Sequence, residues 1–288
     1  MPELPEVEVL VRHLRPLVLN KTIRHLEVHR ARVISPTQMK DFRRALMGAK
    51  IIGLSRRGKY LLFQLRAARG GKAVALLGHL GMTGRMFVAR RNARLPKHAA
   101  VVLDFGRENF IYEDTRYFGR LTLDDSIIAN LGPEPLGEAF DERSFATALK
   151  RSKQAIKVKL LDQKLVVGIG NIYASETLFR ARISPRKPAS RLTRSEVGRL
   201  RRAIRDVLAT AIRLGSTMPL NFKGAGSDGL FYFGRAAGTP DYYQERLRVY
   251  DREGKPCVRC GIAIRRIVQA ARSTFFCPRC QRAAIHLR

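Results

Sequence analysis

The 288-residue chain has no tryptophan, only four cysteines, and few acids: 24 Asp and Glu stand against 55 Lys and Arg. No apolar run approaches the roughly 18 residues of a membrane span. Glu3, Glu6, Glu8, Arg12 and Arg15 occupy the region where a signal peptide would be apolar. These absences argue against a secreted, disulfide-stapled or membrane-spanning protein and favour a soluble cytoplasmic one. The formal net charge of +31 says nothing about fold, but such a surface needs a polyanionic partner. Nucleic acid is the first reading, because Lys and Arg neutralise phosphates and release counterions. No basic amphipathic helix with an aromatic face supports a membrane surface instead.

The four cysteines form two Cys-x-x-Cys pairs, Cys257/Cys260 and Cys277/Cys280, with 16 residues between the pairs. In a reducing compartment that spacing reads as one structural Zn²⁺ held by four thiolates. No ligand position is left for water, so the metal is expected to fold the module rather than to catalyse. A stretch this short buries too little apolar surface to fold alone. Ile264–Gln269 and Ser273–Phe276 can pair as a hairpin across a turn near Ala270-Ala271-Arg272. That hairpin would present Arg272, with Arg265 and Arg266, to a duplex groove.

Hydrophobic spacing divides the rest of the chain. Val7, Leu10, Val11, Leu14 and Val18 recur at helical period over 4–18. Strand-like runs follow at Ile23–Val28, Tyr60–Leu65, Ala73–Leu77, Ala99–Phe105, Phe110–Tyr112 and Leu121–Leu123. They are separated by Gly- and Arg-rich turns and do not alternate with helices, which favours an antiparallel sandwich or barrel. Leu131-Gly-Pro-Glu-Pro-Leu136 breaks the pattern. Helices are expected beyond it over 141–150, 153–162, 171–181 and 194–214, the last opened by a Thr193/Glu196 capping box. Six glycines between 215 and 240, interleaved with Phe222, Phe231, Tyr232 and Phe233, read as a long loop. The expected division is 1–133, a β-sandwich; 134–250, a helical domain with the loop at about 215–243; and 251–288, the zinc hairpin.

The N-terminus begins Met1-Pro-Glu-Leu-Pro-Glu-Val-Glu8. A small second residue permits removal of Met1, which exposes the secondary amine of Pro2. A terminal amine titrates near about 7.7–8.0 against about 10.4 for lysine, so roughly a third of it is nucleophilic at about pH 7.5. Condensed with a sugar aldehyde, a secondary amine gives an iminium that cannot lose a proton to become neutral. It stays an electron sink and promotes loss of a neighbouring phosphate. Glu3 beside it can act as general acid or base at the ring oxygen. Taken alone, Pro2 and Pro5 read more readily as a helix start.

In order along the chain stand Pro2-Glu-Leu-Pro-Glu-Val-Glu8, Gly58-Lys-Tyr-Leu-Leu62, His79-Leu-Gly-Met82, Asp114-Thr-Arg-Tyr-Phe-Gly119, Leu131-Gly-Pro-Glu-Pro135, Gly170-Asn-Ile-Tyr-Ala-Ser-Glu176 and Arg272-Ser-Thr-Phe-Phe-Cys277. Together they make the chain resemble the bacterial formamidopyrimidine-DNA glycosylases along nearly its whole length. Leu4 distinguishes it from endonuclease VIII-type enzymes, which usually begin Pro-Glu-Gly-Pro-Glu.

The resemblance implies an α+β multidomain fold: an N-terminal antiparallel β-sandwich with flanking helices, a helix–two-turn–helix domain and a zinc hairpin, with damaged duplex DNA between the lobes and a monomeric state. It implies Pro2 as nucleophile, Glu3 as the acid aiding ring opening, Glu6 as a supporting carboxylate and Lys59 beside a phosphate and the reacting sugar. A target base must be flipped out of the stack. The resemblance makes Met82 the filler of the vacated space, Arg116 the contact to the orphaned cytosine and Phe118 the wedge. It places Asn171 and Arg272 at flanking phosphates and Lys157 and His79 at further backbone contacts.

The expected activity is excision of 8-oxoguanine and formamidopyrimidines followed by β,δ-elimination. A preference for oxidised pyrimidines and a non-catalytic zinc-containing damage-binding protein are the alternatives. The match departs from the family pattern at 215–245, where Leu220 stands in place of an expected lysine, with Lys223 nearby, and at Tyr117.

Overall fold

The computed structural model describes residues 2–68, 73–215 and 247–282. The expectations for Met1, for the glycine-rich loop and for Leu220 and Lys223 fall outside those residues. The chain divides after Asn130 into two compact units.

The first unit opens with helix α1 (Leu4–Val18), begun by Pro5 in its first turn. Leu4, Val7, Leu10, Leu14 and Val18 are its core-facing stripe and are fully buried, as their spacing requires. Strand β1 (His25–Val28), a 3-10 turn (Ala31–Ile34) and helix α2 (Met39–Leu46) follow, then β2 (Lys50–Arg57), β3 (Tyr60–Arg66), β4 (Val74–His79), β5 (Gly84–Arg90), β6 (Ala99–Asp104), β7 (Glu108–Asp114), β8 (Arg120–Thr122) and the short α3 (Ser126–Ala129). Two antiparallel four-stranded sheets result, in the orders β2-β3-β4-β8 and β1-β6-β7-β5. Phe63 of β3 meets Phe110 of β7 edge-on at 5.6 Å, joining the sheets through one core. Helix α1 packs on β2, β3 and β5, which brings its N-terminus to the sandwich.

The second unit carries α4 (Glu142–Lys150), α5 (Ile156–Lys159), α6 (Asn171–Ala181), α7 (Arg194–Gly215) and the hairpin β9 (Arg265–Gln269) and β10 (Arg272–Phe276). The capping box of α7 is present: Thr193 N–H donates to Glu196 at 2.8 Å and Glu196 N–H to Thr193 at 3.2 Å. Arg205 of α7 donates to the carbonyls of Pro135, Leu136 and Gly137, which fixes the proline-rich entry segment. Ile264, Phe275 and the buried cysteines share one apolar cluster with Phe179 of α6 and Val249.

Several elements differ from the sequence reading. Strands β2 and β5 lie where Gly- and Arg-rich turns are expected, and α2 where no element is expected. Helix α5 is shorter than 153–162. Its front is taken by an extended bridge between Ala155 and Pro188, and its end by a turn that Asp162 closes on Lys164 N–H at 2.9 Å.

Candidate functional site: one polar cluster in each unit

Glu3, Glu6 and Lys59 are 2%, 1% and 6% exposed, and Pro2 is buried as well. Burying ionisable groups is costly, so each is kept for chemistry or for tight pairing. Glu6 reaches back one turn to accept the Glu3 N–H at 2.7 Å, holding the start of α1 in place.

Lys59 is the second residue of a two-residue turn between β2 and β3, which the Arg57–Tyr60 pairing closes. Gly58 has φ +57° while Lys59 stays outside the left-handed region, the pattern of a type II′ hairpin turn. Glycine is needed here because any side chain at that φ would be strained.

His79 ends β4 opposite Tyr60, with the rings 4.8 Å apart. Its Nδ1 accepts the Gly81 N–H at 3.2 Å. Burial, with Lys59 and Arg120 adding to it, pushes its pKa down to about 4. The ring is therefore neutral near pH 7, and Nε2 carries its proton.

Met82 and Phe118 are 41% and 45% exposed, and Arg116 is exposed; taken singly, the two apolar residues read more readily as core. They sit on two loops that press together. A Cβ on Gly81 would lie 2.6 Å from Gly119 N. Asp114, fully buried, ties the loops: it accepts from Thr83 Oγ1 at 2.5 Å, Arg116 N–H at 3.2 Å and Gly119 N–H at 2.8 Å. The exposed apolar side chains are thus held on a rigid support.

In the second unit Lys157 is fully buried. Its ammonium donates to Asn171 Oδ1 at 2.6 Å and to Thr274 Oγ1 at 3.3 Å. Asn171 Nδ2 donates to the Ser273 carbonyl at 2.9 Å. The first residue of α6 is therefore bonded both to α5 and to the hairpin. Gln163 fixes the two turns before α6, donating to Leu161 and Ile169 carbonyls and accepting the Gly168 N–H. The positive end of a helix dipole suits an anion. Arg272 opens β10, exposed, opposite Gln269.

The four cysteine sulfurs lie within 4.8 Å of one another. The 3.9 Å Cys257–Cys280 and 3.4 Å Cys260–Cys277 separations bracket the edge of about 3.8 Å expected for a tetrahedral zinc–thiolate shell. All four are free of disulfides, and together they form the site of one structural Zn²⁺. Gln281 supports it, accepting the Cys277 N–H at 2.9 Å and donating to the Ile183 carbonyl at 3.0 Å.

Asp114, Gln163 and Glu176 escape the sequence reading. Glu176 is buried and accepts the N–H groups of Arg248, Val249 and Tyr250 at 2.9–3.1 Å. Asp114 and Glu176 lie inside recognised motifs and Gln163 outside them, and their roles as acceptors depend on partners that the sequence does not mark.

Comparison with known proteins matches three successive stretches of the chain. Residues 1–121 match the formamidopyrimidine-DNA glycosylase N-terminal domain, 131–221 the formamidopyrimidine-DNA glycosylase H2TH domain, and 254–283 the zinc finger found in FPG and IleRS. The formamidopyrimidine-DNA glycosylase of Thermus thermophilus is 45% identical, with 98% of each chain covered. That of Lactococcus lactis is 39% identical over 98% of this chain and 99% of its own. Crystal structures of the Lactococcus lactis enzyme align over 98% of this chain and all of theirs. One holds DNA containing an AP site (TM-score 0.82, 35% identity) and another a FAPY-dG containing DNA (0.84, 34%). By matched domains, full-length identity and fold together, the chain belongs to the formamidopyrimidine-DNA glycosylase family of DNA-repair enzymes.

Proposed function

We propose that the chain is a bifunctional glycosylase and AP lyase that removes oxidised purines, 8-oxoguanine and formamidopyrimidines, with Pro2 as nucleophile. The observation that carries this reading is the burial of Glu3, Glu6 and Lys59 in the same unit as a buried Pro2. Once Met1 is removed, the Pro2 nitrogen attacks the anomeric carbon of an extruded nucleotide and the base leaves. Glu3 supplies a proton to the ring oxygen as the sugar opens, giving the iminium. Loss of the C2′ proton then expels the 3′ phosphate, and a second elimination expels the 5′ phosphate. Lys59, on a turn of fixed geometry, offers a cation to the phosphate next to the sugar.

Met82, Arg116 and Phe118 fit the space and the orphaned base left by flipping, since apolar wedges offset unstacking and Arg supplies directed donors. Asn171, Lys157, His79 and Arg272 are the proposed phosphate contacts, His79 as a neutral donor.

Borohydride trapping tests the reading on duplexes carrying 8-oxoguanine, an oxidised pyrimidine or an abasic site. A covalent adduct is expected from protein that starts at Pro2, and none from protein that retains Met1. No adduct with any duplex rejects the enzyme reading. Faster trapping on the oxidised pyrimidine rejects the purine preference alone.

A further inference from the structure

Lys59 is held from behind by a charged clamp that crosses between two elements. Arg56, two residues before Gly58, has a side chain only 10% exposed. Its Nε donates to Glu8 Oε2 of α1 at 2.8 Å. A terminal nitrogen of the same guanidinium donates to the Gly58 carbonyl at 3.0 Å. The other oxygen of Glu8 accepts Arg12 Nε at 2.8 Å. Burial alone raises the Glu8 carboxyl, but the hydrogen bonds and charges of Arg56 and Arg12 outweigh it and hold it below the ordinary carboxylate value.

The carbonyl that Arg56 holds belongs to the peptide joining Gly58 to Lys59, the central peptide of the hairpin turn. Type I′ and type II′ turns share a positive φ at the first central residue and differ by a flip of this peptide. The flip would carry Lys59 into the left-handed region and swing its side chain away from its present direction. Lysine itself resists that conformation by roughly 1–2 kcal/mol, and the guanidinium adds a directed, charge-assisted bond against it. Because the same guanidinium is fixed to α1, the turn is registered to the helix that Glu3 caps.

We propose that Glu8 and Arg56 are positioning residues that hold the Gly58–Lys59 peptide, and with it the Lys59 ammonium, in register with the N-terminus of α1. The inference rests on the reading of Pro2 and Lys59 given above. Neither Glu8 nor Arg56 touches the reacting atoms.

Single-turnover excision, duplex affinity and thermal unfolding are measured on the full zinc-loaded chain for wild type, Glu8→Ala, Glu8→Gln, Arg56→Met and the Glu8→Ala/Arg56→Met double variant. Misplacing a reacting group by a fraction of an ångström costs about tenfold to a hundredfold in rate. That loss is expected for Glu8→Ala and Arg56→Met, with lesion-duplex affinity changed by no more than about twofold. Glu8→Gln keeps an acceptor for Arg56 and recovers most of the rate. The double variant is no slower than the slower single one, because both act through one bond network.

Folded single variants with wild-type rates overturn the proposal, as do rates that fall only in step with the unfolded fraction, or that add in the double variant. Wild-type protein that traps no adduct overturns it by a different route, by removing the chemistry it serves.

Discussion

The guanidinium of Arg116 lies 4.8 Å from the centre of the Phe118 ring, while Tyr117 between them holds a left-handed backbone at φ +52°. Tyr117 is fixed from the other side: its hydroxyl lies 3.4 Å from His98 Nδ1, and Arg30 sits 5.3 Å over its ring. The outer pair is therefore stacked on a turn whose middle residue is anchored. An exposed cation–π contact of this kind contributes about 0.5–1 kcal/mol. Phe118→Ala should therefore change folding stability by less than about 1 kcal/mol, while affinity for a lesion duplex falls at least about tenfold. Thermal unfolding and a fluorescence titration separate the two. A large drop in melting temperature would make Phe118 a core residue after all.

Metal removal is expected to disarm Asn171 at a distance. The Asn171 side chain donates to Ser273 in β10, Lys157 bridges Asn171 and Thr274, and β10 runs directly into Cys277. Chelation removes the four-thiolate closure that folds this hairpin. Duplex affinity should fall by at least about a hundredfold while far-ultraviolet circular dichroism, dominated by α1, α6 and α7, changes little. Asn171→Ala in zinc-loaded protein should reproduce part of that loss.

His79 gives a defined acid response. Its pKa is about 4 in the fold and about 6.5 in the unfolded chain. Between those values the unfolded state binds the proton and the folded state resists it, so the stability present above about pH 6.5 is lost as pH falls towards about 4. The loss is at most about 3 kcal/mol for such a shift, less for the part of the ring that meets water. His79→Gln should flatten denaturant midpoints across this window. An unchanged slope in the variant would assign the acid response elsewhere.

The hairpin tip holds a removable strain. Ala270 and Ala271 both have positive φ, +47° and +57°, where alanine is disfavoured and Asn-Gly is the usual pair. Ala270→Asn with Ala271→Gly should relieve about 1–2 kcal/mol, seen as slower zinc loss to a chelator. If release is not slowed, the tip does not limit the stability of the hairpin.

The sequence made some of this architecture readable and concealed the rest for physical reasons. Helices α1 and α7 are legible because their burial follows helical spacing and, for α7, because Thr193 and Glu196 act locally. The zinc hairpin is legible because four thiolates at fixed spacing leave little freedom. Strands β2 and β5 are not, because Gly53, Arg56, Gly84 and Arg85 break the apolar alternation, and only pairing with β3 and β7 makes them strands. The types at Lys59, Met82 and Phe118 follow from the motifs. The type II′ turn, the support from Asp114 and the Gln163 brace arise only when distant segments meet.

Phe179 closes the apolar cluster behind the cysteines, and Arg259, inside the first Cys-x-x-Cys turn, stacks on its ring at 4.4 Å and bonds its carbonyl at 2.9 Å. The metal module is therefore not a portable part. Excised or grafted elsewhere without the last turn of α6, it would still chelate zinc but would leave Ile264 and Phe275 bare. Its boundary as a unit of engineering lies inside the helical region, well upstream of the first cysteine.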